Sequence, residues 1–306
     1  MSMMSSIQSM LERYQPKNAE AYRNALKEIV QEIALYGMSK SGFFQKGAFY
    51  GGTALRIFYG LHRFSEDMDF SLMYPDPSFA LSDYLPAVEE ELSAVGLKMR
   101  VEQKNKTKVT NIQSAFIKGG TLIQIISIQQ TDEVLIPGIH KQEQLKIKLE
   151  VNTNPPPGAG VELRYALRPV PYAVRLYDKP SLFAGKIHAV LCRNWTQRIK
   201  GRDLYDYIWY LSQGTPANLF HLQKRLEQSE RWDASKRLTL QDAKELLKDR
   251  FSQLDFEAAK KDVIPFLADT SELELWNQAF FQLKCGQESS HFSQERNGRN
   301  GSHLEY

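Results

Sequence analysis

GGTALRIFYGLHRFSEDMDF, residues 51–70, decides how the rest of this 306-residue chain reads. It opens on two glycines and a hydroxyl residue, Gly51, Gly52 and Thr53, and continues in an apolar, helix-compatible run through Ala54, Leu55, Ile57 and Phe58. It closes on Asp67 and Asp69, which alternate with Met68 and Phe70. On a strand, side chains two apart leave the same face, so the two carboxylates project together while Met68 and Phe70 point into a core. Carboxylates that close repel one another unless a cation lies between them, and Mg²⁺ commonly joins one or two carboxylates to substrate phosphates. Glycines let a phosphate approach backbone N–H groups, and a helix that starts there presents its positive end to the anion. An acidic strand edge beside an amphipathic helix has the same pattern, but the glycine turn and the Arg63-Phe64-Ser65 lead-in favour a site for phosphoryl or nucleotidyl transfer.

The sequence on either side sets the fold class. Residues 18–37 carry apolar side chains at helical spacing, with Gly37 as the expected end, and Phe43, Phe44, Phe49 and Tyr50 predict a short strand entering the glycine pair. A strand over Asp67–Leu72 and a helix over 78–95 follow, with Pro86 confined to that helix's first turns. From 97 to 128 the texture is β, with strands at Lys98–Gln103, Thr110–Lys118 and Thr121–Ile128. Gly119-Gly120 is the expected hairpin turn between the last two. Residues 131–142 read as a loop. Lys146–Asn152 alternates cleanly, with Lys146, Lys148, Glu150 and Asn152 on one face and Ile147, Leu149 and Val151 on the other. A further β-like stretch runs over Glu162–Tyr177. Helices are then expected at 180–193, 201–213, 216–228, 239–249 and 271–283. The expectation is an α+β chain with a mixed-sheet unit at 1–178, a helical unit at 179–284 and a polar, disordered tail at 285–306.

Composition narrows the class further. Hydrophobic residues make up 42% of the chain and charged residues 25%, the balance of an ordinary globular protein. No apolar run approaches the ~20 residues of a membrane span, and no signal segment is recognisable, so a cytoplasmic location is expected. Two cysteines, Cys192 and Cys285, make neither a disulfide framework nor a cysteine-bound zinc site. A net charge of +3 leaves any nucleic-acid contact to a local patch.

A second constellation lies in KPSLFAGKIHAVLCRNWTQRIKGRDLYDYIWYL, residues 179–211. Lys186 and Arg193 lie seven apart on one side of the first helix, and Asp203 and Asp206 three apart on the next. A lysine beside nucleotide phosphates is a mobile point charge, and an aspartate facing it would fix its position or take a proton from an incoming hydroxyl. Tyr205, Tyr207, Trp209 and Tyr210 read as core. His62, His140 and His188 are not at metal-ligand spacing. Arg63 would reach a triphosphate or pair with Glu66 or Asp67.

Together, Gly51-Gly52-Thr53…Asp67-x-Asp69, Ala184-Gly185-Lys186…Ala189…Arg193 and Arg202-Asp203-x-x-Asp206 resemble the AbiEii/AbiGii toxin family of the DNA polymerase beta nucleotidyltransferase superfamily. The resemblance covers roughly residues 47–211, with Thr53 standing where serine is common and Val190 where leucine is usual. It implies a polymerase-beta-like mixed sheet followed by a helical bundle, and a metal-dependent nucleotidyltransferase acting as the toxin of a bacterial toxin–antitoxin pair. It implies Mg²⁺ or Mn²⁺ on Asp67 and Asp69, with Glu150 in the place of the superfamily's third carboxylate. Gly51, Gly52, Thr53, Arg63, Lys186 and Arg193 are then the expected contacts of a nucleoside triphosphate, and Lys186, Asp203 and Asp206 the expected catalytic group. The implied partners are a cognate antitoxin and an acceptor, either an RNA such as a tRNA 3′ end or a protein hydroxyl. A non-catalytic nucleotide-binding regulator on the same fold and a metal-dependent phosphodiesterase or nuclease are the rival expectations.

Overall fold

The computed structural model describes residues 3–104, 110–129, 136–195 and 199–287. The chain opens with α1 (Met3–Tyr14) and α2 (Ala19–Lys40). Asn18 caps α2 by accepting from the Ala21 N–H. Gly37 does not end this helix. It lies inside it, where an added Cβ would stand 2.7 Å from the Val88 Cα, so the glycine lets α2 approach the later helix that carries Val88.

A short 3₁₀ turn, Phe43–Gln45, precedes β1 (Gly47–Tyr50), which runs directly into α3 (Gly51–Tyr59). Next come β2 (Met68–Leu72), α4 (Leu85–Ala94), β3 (Arg100–Lys104), β4 (Ile112–Gly120), α5 (Thr121–Gln129) and β5 (Gln144–Asn152). The hairpin β6 (Val161–Ala166) and β7 (Tyr172–Tyr177) completes a seven-stranded mixed sheet in the order β3-β4-β5-β2-β1-β7-β6.

The strand expected at Thr121–Ile128 is the helix α5, and Gly119-Gly120 ends β4 instead of forming a hairpin turn. Isoleucine and threonine favour strands only weakly against context. Here Thr121, Gln124, Ile125 and Ile128 are buried at helical spacing, and the Gln124 amide bonds both the N–H and the C=O of Lys98. Part of the 131–142 loop and most of the 285–306 tail lie outside the described residues. Met68 and Phe70 are fully buried as the alternation requires, and so are Ile147, Leu149 and Val151.

The C-terminal part is helical: α6 (Lys179–Cys192), α7 (Gly201–Ser212), α8 (Leu219–Gln228), α9 (Leu240–Ser252), α10 (Phe256–Val263) and α11 (Gln278–Gln287). α1 and α10 are additions to the sequence expectation. One apolar core lies between the sheet and α2, α4 and α5. A second lies among α6 to α11 and takes in Ala48, Leu55, Leu61 and Tyr177 from the sheet part, so the expected 178/179 division runs beside a shared seam. Tyr205, Tyr207, Trp209 and Tyr210 belong to that second core. No helix among the described residues is long and apolar enough to cross a membrane.

Candidate active site

Tyr50 is extended, and Gly51 turns the chain into α3 at φ +83°, a conformation that L side chains rarely adopt. A Cβ on Gly51 would meet the Asp69 Oδ2 at 2.5 Å, so the glycine also makes room for that carboxylate. Opposite this turn, β2 pairs in parallel with β5 and sets Asp69 directly beside Glu150. Ser114 on β4 donates to Glu150 at 3.0 Å, and Lys148 pairs with it at 2.7 Å.

Asp67 and Asp69 form no ion pair among the described residues. Burial, and then the charges of Asp67 and Glu150, push the Asp69 carboxyl up to about 7. Burial and Glu66 raise Asp67 as well. Among the described residues no three His, Cys, Asp or Glu side chains converge as a ready metal cluster. Two unpaired oxygen-donor side chains sharing one face nevertheless fit Mg²⁺ or Mn²⁺, which takes few protein ligands and completes its shell with phosphate and water.

Asp69 and the Gly51-Gly52 turn line a cleft of about 430 Å³ whose opposite wall is α6 and α8. Gly185, Lys186, His188, Ala189 and Arg193 come from α6 and its end, and Arg225 and Ser229 from α8 and its cap. Asp67, Glu150, Thr53, Arg63, Asp203 and Asp206 are not part of the cleft wall. Thr53 is fully buried, and its hydroxyl donates to the Asp67 carbonyl, tying α3 to the start of β2.

Behind Lys186 lies a buried charge network. Lys186 Nζ is 2.6 Å from the Asp203 Oδ1 and 2.7 Å from the Asp206 Oδ2. Arg193 Nη1 donates to the Asp203 Oδ2 at 2.6 Å. Arg63 pairs with Asp206 at two points, not with Glu66 or Asp67; Glu66 instead holds Lys27 at 2.7 Å and Arg202 at 3.1 Å. Burial opposes ionisation of Asp206, but Arg63 and Lys186 outweigh it and hold its carboxyl below the usual range. With both oxygens engaged, Asp203 and Asp206 are placed to orient cations.

Sequence reasoning missed α8's share of the cleft. Arg225 forms no ion pair among the described residues, and its buried Nε has no hydrogen-bond partner. Its guanidinium lies against the α6 backbone, 3.7 Å from where a Gly185 Cβ would stand. No local motif marks Arg225, because its role depends on α8 packing against α6. His188 Nε2 lies 3.0 Å from the Ser229 hydroxyl, and burial followed by Arg225 pushes its imidazole down to about 4.

Comparison with known proteins identifies the family and the fold. The model of the nucleotidyl transferase AbiEii toxin family, type IV toxin–antitoxin system, matches residues 33–282. The fold is similar to that of MenT4, a nucleotidyltransferase toxin from Mycobacterium tuberculosis H37Rv, at TM-score 0.55 and 17% identity, over 91% of this chain and 88% of that one. JHP933 from Helicobacter pylori aligns at TM-score 0.47 and 17% identity, over 87% and 91% of the two chains. No curated protein sequence matches the chain. This chain belongs to the AbiEii family of nucleotidyltransferase toxins of type IV toxin–antitoxin systems.

Proposed function

We propose that the chain transfers a nucleotide from a nucleoside triphosphate to a hydroxyl of an RNA or protein acceptor, releasing pyrophosphate. The observation that carries this is the placement of unpaired Asp69 and the Gly51-Gly52 turn opposite Lys186, Arg193 and Arg225 across one cleft. In this reading the triphosphate lies along the cleft, with the first N–H groups of α3 and the three cations holding its oxygens.

Asp67 and Asp69 would hold the divalent cation, with Glu150 the neighbouring carboxylate in register. When bound there, a divalent cation polarises the α-phosphoryl group and offsets charge on the departing pyrophosphate. The acceptor oxygen attacks the α-phosphorus, the bond to the β-phosphate oxygen breaks, and an unpaired β2 carboxylate accepts the hydroxyl proton. Lys186 faces the charge that builds up on the phosphates, and Asp203 and Asp206 keep its ammonium aimed at the cleft. Family membership brings with it a cognate antitoxin as partner.

The test is transfer from each of the four α-³²P-labelled nucleoside triphosphates into total RNA and protein, beside Asp69→Ala. A discrete labelled band that the variant lacks is expected. A band of equal strength from the variant would overturn the assignment.

A further inference from the structure

The sheet face that carries Asp69 continues across β5, β4 and β3, where Lys104 and Lys146 are exposed, Phe116 and Lys148 half-buried and Ser114 buried. The opposite face of these strands is closed, with Ala115, Ile117, Ile147 and Leu149 all fully buried. The open face is built in rungs. Asp69 pairs with Glu150, Glu150 with Ser114, and Ser114 with Lys104. In the next rung Lys148 pairs with Phe116, and Phe116 with Glu102; in the third, Lys146 pairs with Lys118, and Lys118 with Arg100. Directly opposite residues share a face. Phe116 therefore stands two strands from β2, roughly 10 Å from the acidic pair.

Phe116 is an aromatic ring, half-buried, whose neighbours on this face, Ser114, Lys118, Lys148 and Glu102, are polar, and lysines frame it. Lys146 Nζ is 4.0 Å from the ring centre, Lys118 Nζ 5.6 Å and Lys104 Nζ 6.0 Å. Lys118 and Lys148 are matched by Glu102 and Glu150. Lys104, Lys146 and Arg100 form no ion pair among the described residues. The local charge is therefore positive on a chain whose whole balance is only +3. An aromatic face among unpaired cations matches a single-stranded nucleic acid, whose base stacks on the ring while its phosphates meet the amines. Continuity with Asp69 gives the direction, since a strand crossing this face delivers its terminal hydroxyl to the acidic pair.

We infer that the open face of β3, β4 and β5, centred on Phe116 and its lysines, binds the single-stranded end of an RNA acceptor; this rests on the transferase reading above. The lysines that now cover the ring turn to the phosphates, and Phe116 takes the base.

The experiment measures fluorescence anisotropy of a short 5′-fluorescein single-stranded RNA over a salt series, for the wild type, Phe116→Ala and the triple variant Lys104→Gln/Lys118→Gln/Lys146→Gln. Triphosphate binding is measured in parallel by calorimetry. Phe116→Ala is expected to weaken RNA binding about tenfold. The triple variant is expected to flatten the salt slope by about two units, near 0.7 per lysine. Triphosphate affinity should stay unchanged in both. Unchanged RNA affinity and slope, or a wild type that binds triphosphate but not RNA, overturns the inference while leaving the transferase reading intact. Label entering a polypeptide, with Phe116→Ala defective in that transfer, reassigns the face to a protein acceptor and overturns it too. A wild type that binds no triphosphate removes both readings together.

Discussion

Arg63 and Asp206, 143 residues apart, close a two-point ion pair: Nε donates to Oδ1 at 2.6 Å and Nη2 to Oδ2 at 2.6 Å. The pair ties the segment between α3 and β2 to the middle of α7, and through Lys186 it reaches the cleft. Both side chains are almost wholly buried. Removing one partner leaves an uncompensated charge away from water, a loss of about 3–5 kcal/mol. Asp206→Ala should therefore lower the unfolding free energy by that amount in urea denaturation. Arg63→Lys should recover little of it, because an ammonium cannot reproduce the planar fork.

Asp69→Ala should separate chemistry from folding. With its repulsive neighbours Asp67 and Glu150 relieved, the variant should melt at or above the wild-type temperature. Its transfer rate should fall by about 10³-fold or more. Chelation of divalent cations by EDTA should do the same to the wild type, with recovery on adding Mg²⁺ or Mn²⁺.

Gly51→Ala acts on the same carboxylate by a different route. The added Cβ would meet the Asp69 Oδ2 at 2.5 Å from a backbone held at φ +83°. The left-handed conformation costs about 1–2 kcal/mol for alanine, to be read as a lowered melting temperature. Displacing Asp69 should cost about 10²-fold in kcat.

Arg225→Gln should raise the dissociation constants of nucleoside triphosphate and of pyrophosphate alone by about tenfold to a hundredfold, the worth of a charged hydrogen bond. Nucleoside affinity should be unchanged. Equal loss for nucleoside and triphosphate in calorimetry would place Arg225 away from the phosphates.

Glu32 on α2 supplies a pH-dependent stability separate from the site. Burial and then the charge of Glu28 push its carboxyl from 4.5 up to about 7, with Arg13 pulling the other way. A carboxyl whose folded value is raised stabilises fully below the unfolded value of 4.5. That contribution is lost as pH rises through 7 and amounts to on the order of 3 kcal/mol. Glu32→Gln should melt above the wild type at pH 8, and the gap should close near pH 4.5.

Local pattern carried much of the architecture. The two-residue alternation of β2 and β5 identified their faces residue by residue, because a strand offers only two. The amphipathic spacing of α6 and α7 placed Lys186, Asp203 and Asp206 on helices and Tyr207 and Tyr210 in a core, while Arg193, expected on the first of these helices, is the extended residue that caps its end. The same logic failed at 121–128, where β-branched residues pointed to a strand. The contacts that make α5 a helix, from Gln124 to Lys98, come from outside the segment. It failed at Gly37 too, since a glycine's usual role as a helix stop gave way to close packing against Val88.

By itself the sequence determined an α+β chain, the β2 acidic pair behind a glycine turn, and the two motifs that carry the family resemblance. Each is a matter of residue type and short spacing, which local backbone geometry converts directly into a face. Only the tertiary structure decided that Arg63 is buried against Asp206, that Thr53 ties α3 to β2, that Arg225 stands unpaired in the cleft and that Phe116 lies among lysines two strands from Asp69. Most of those relations join residues from about a dozen to well over a hundred positions apart. They exist because strand register and helix packing bring distant side chains together, and spacing along the chain does not encode that.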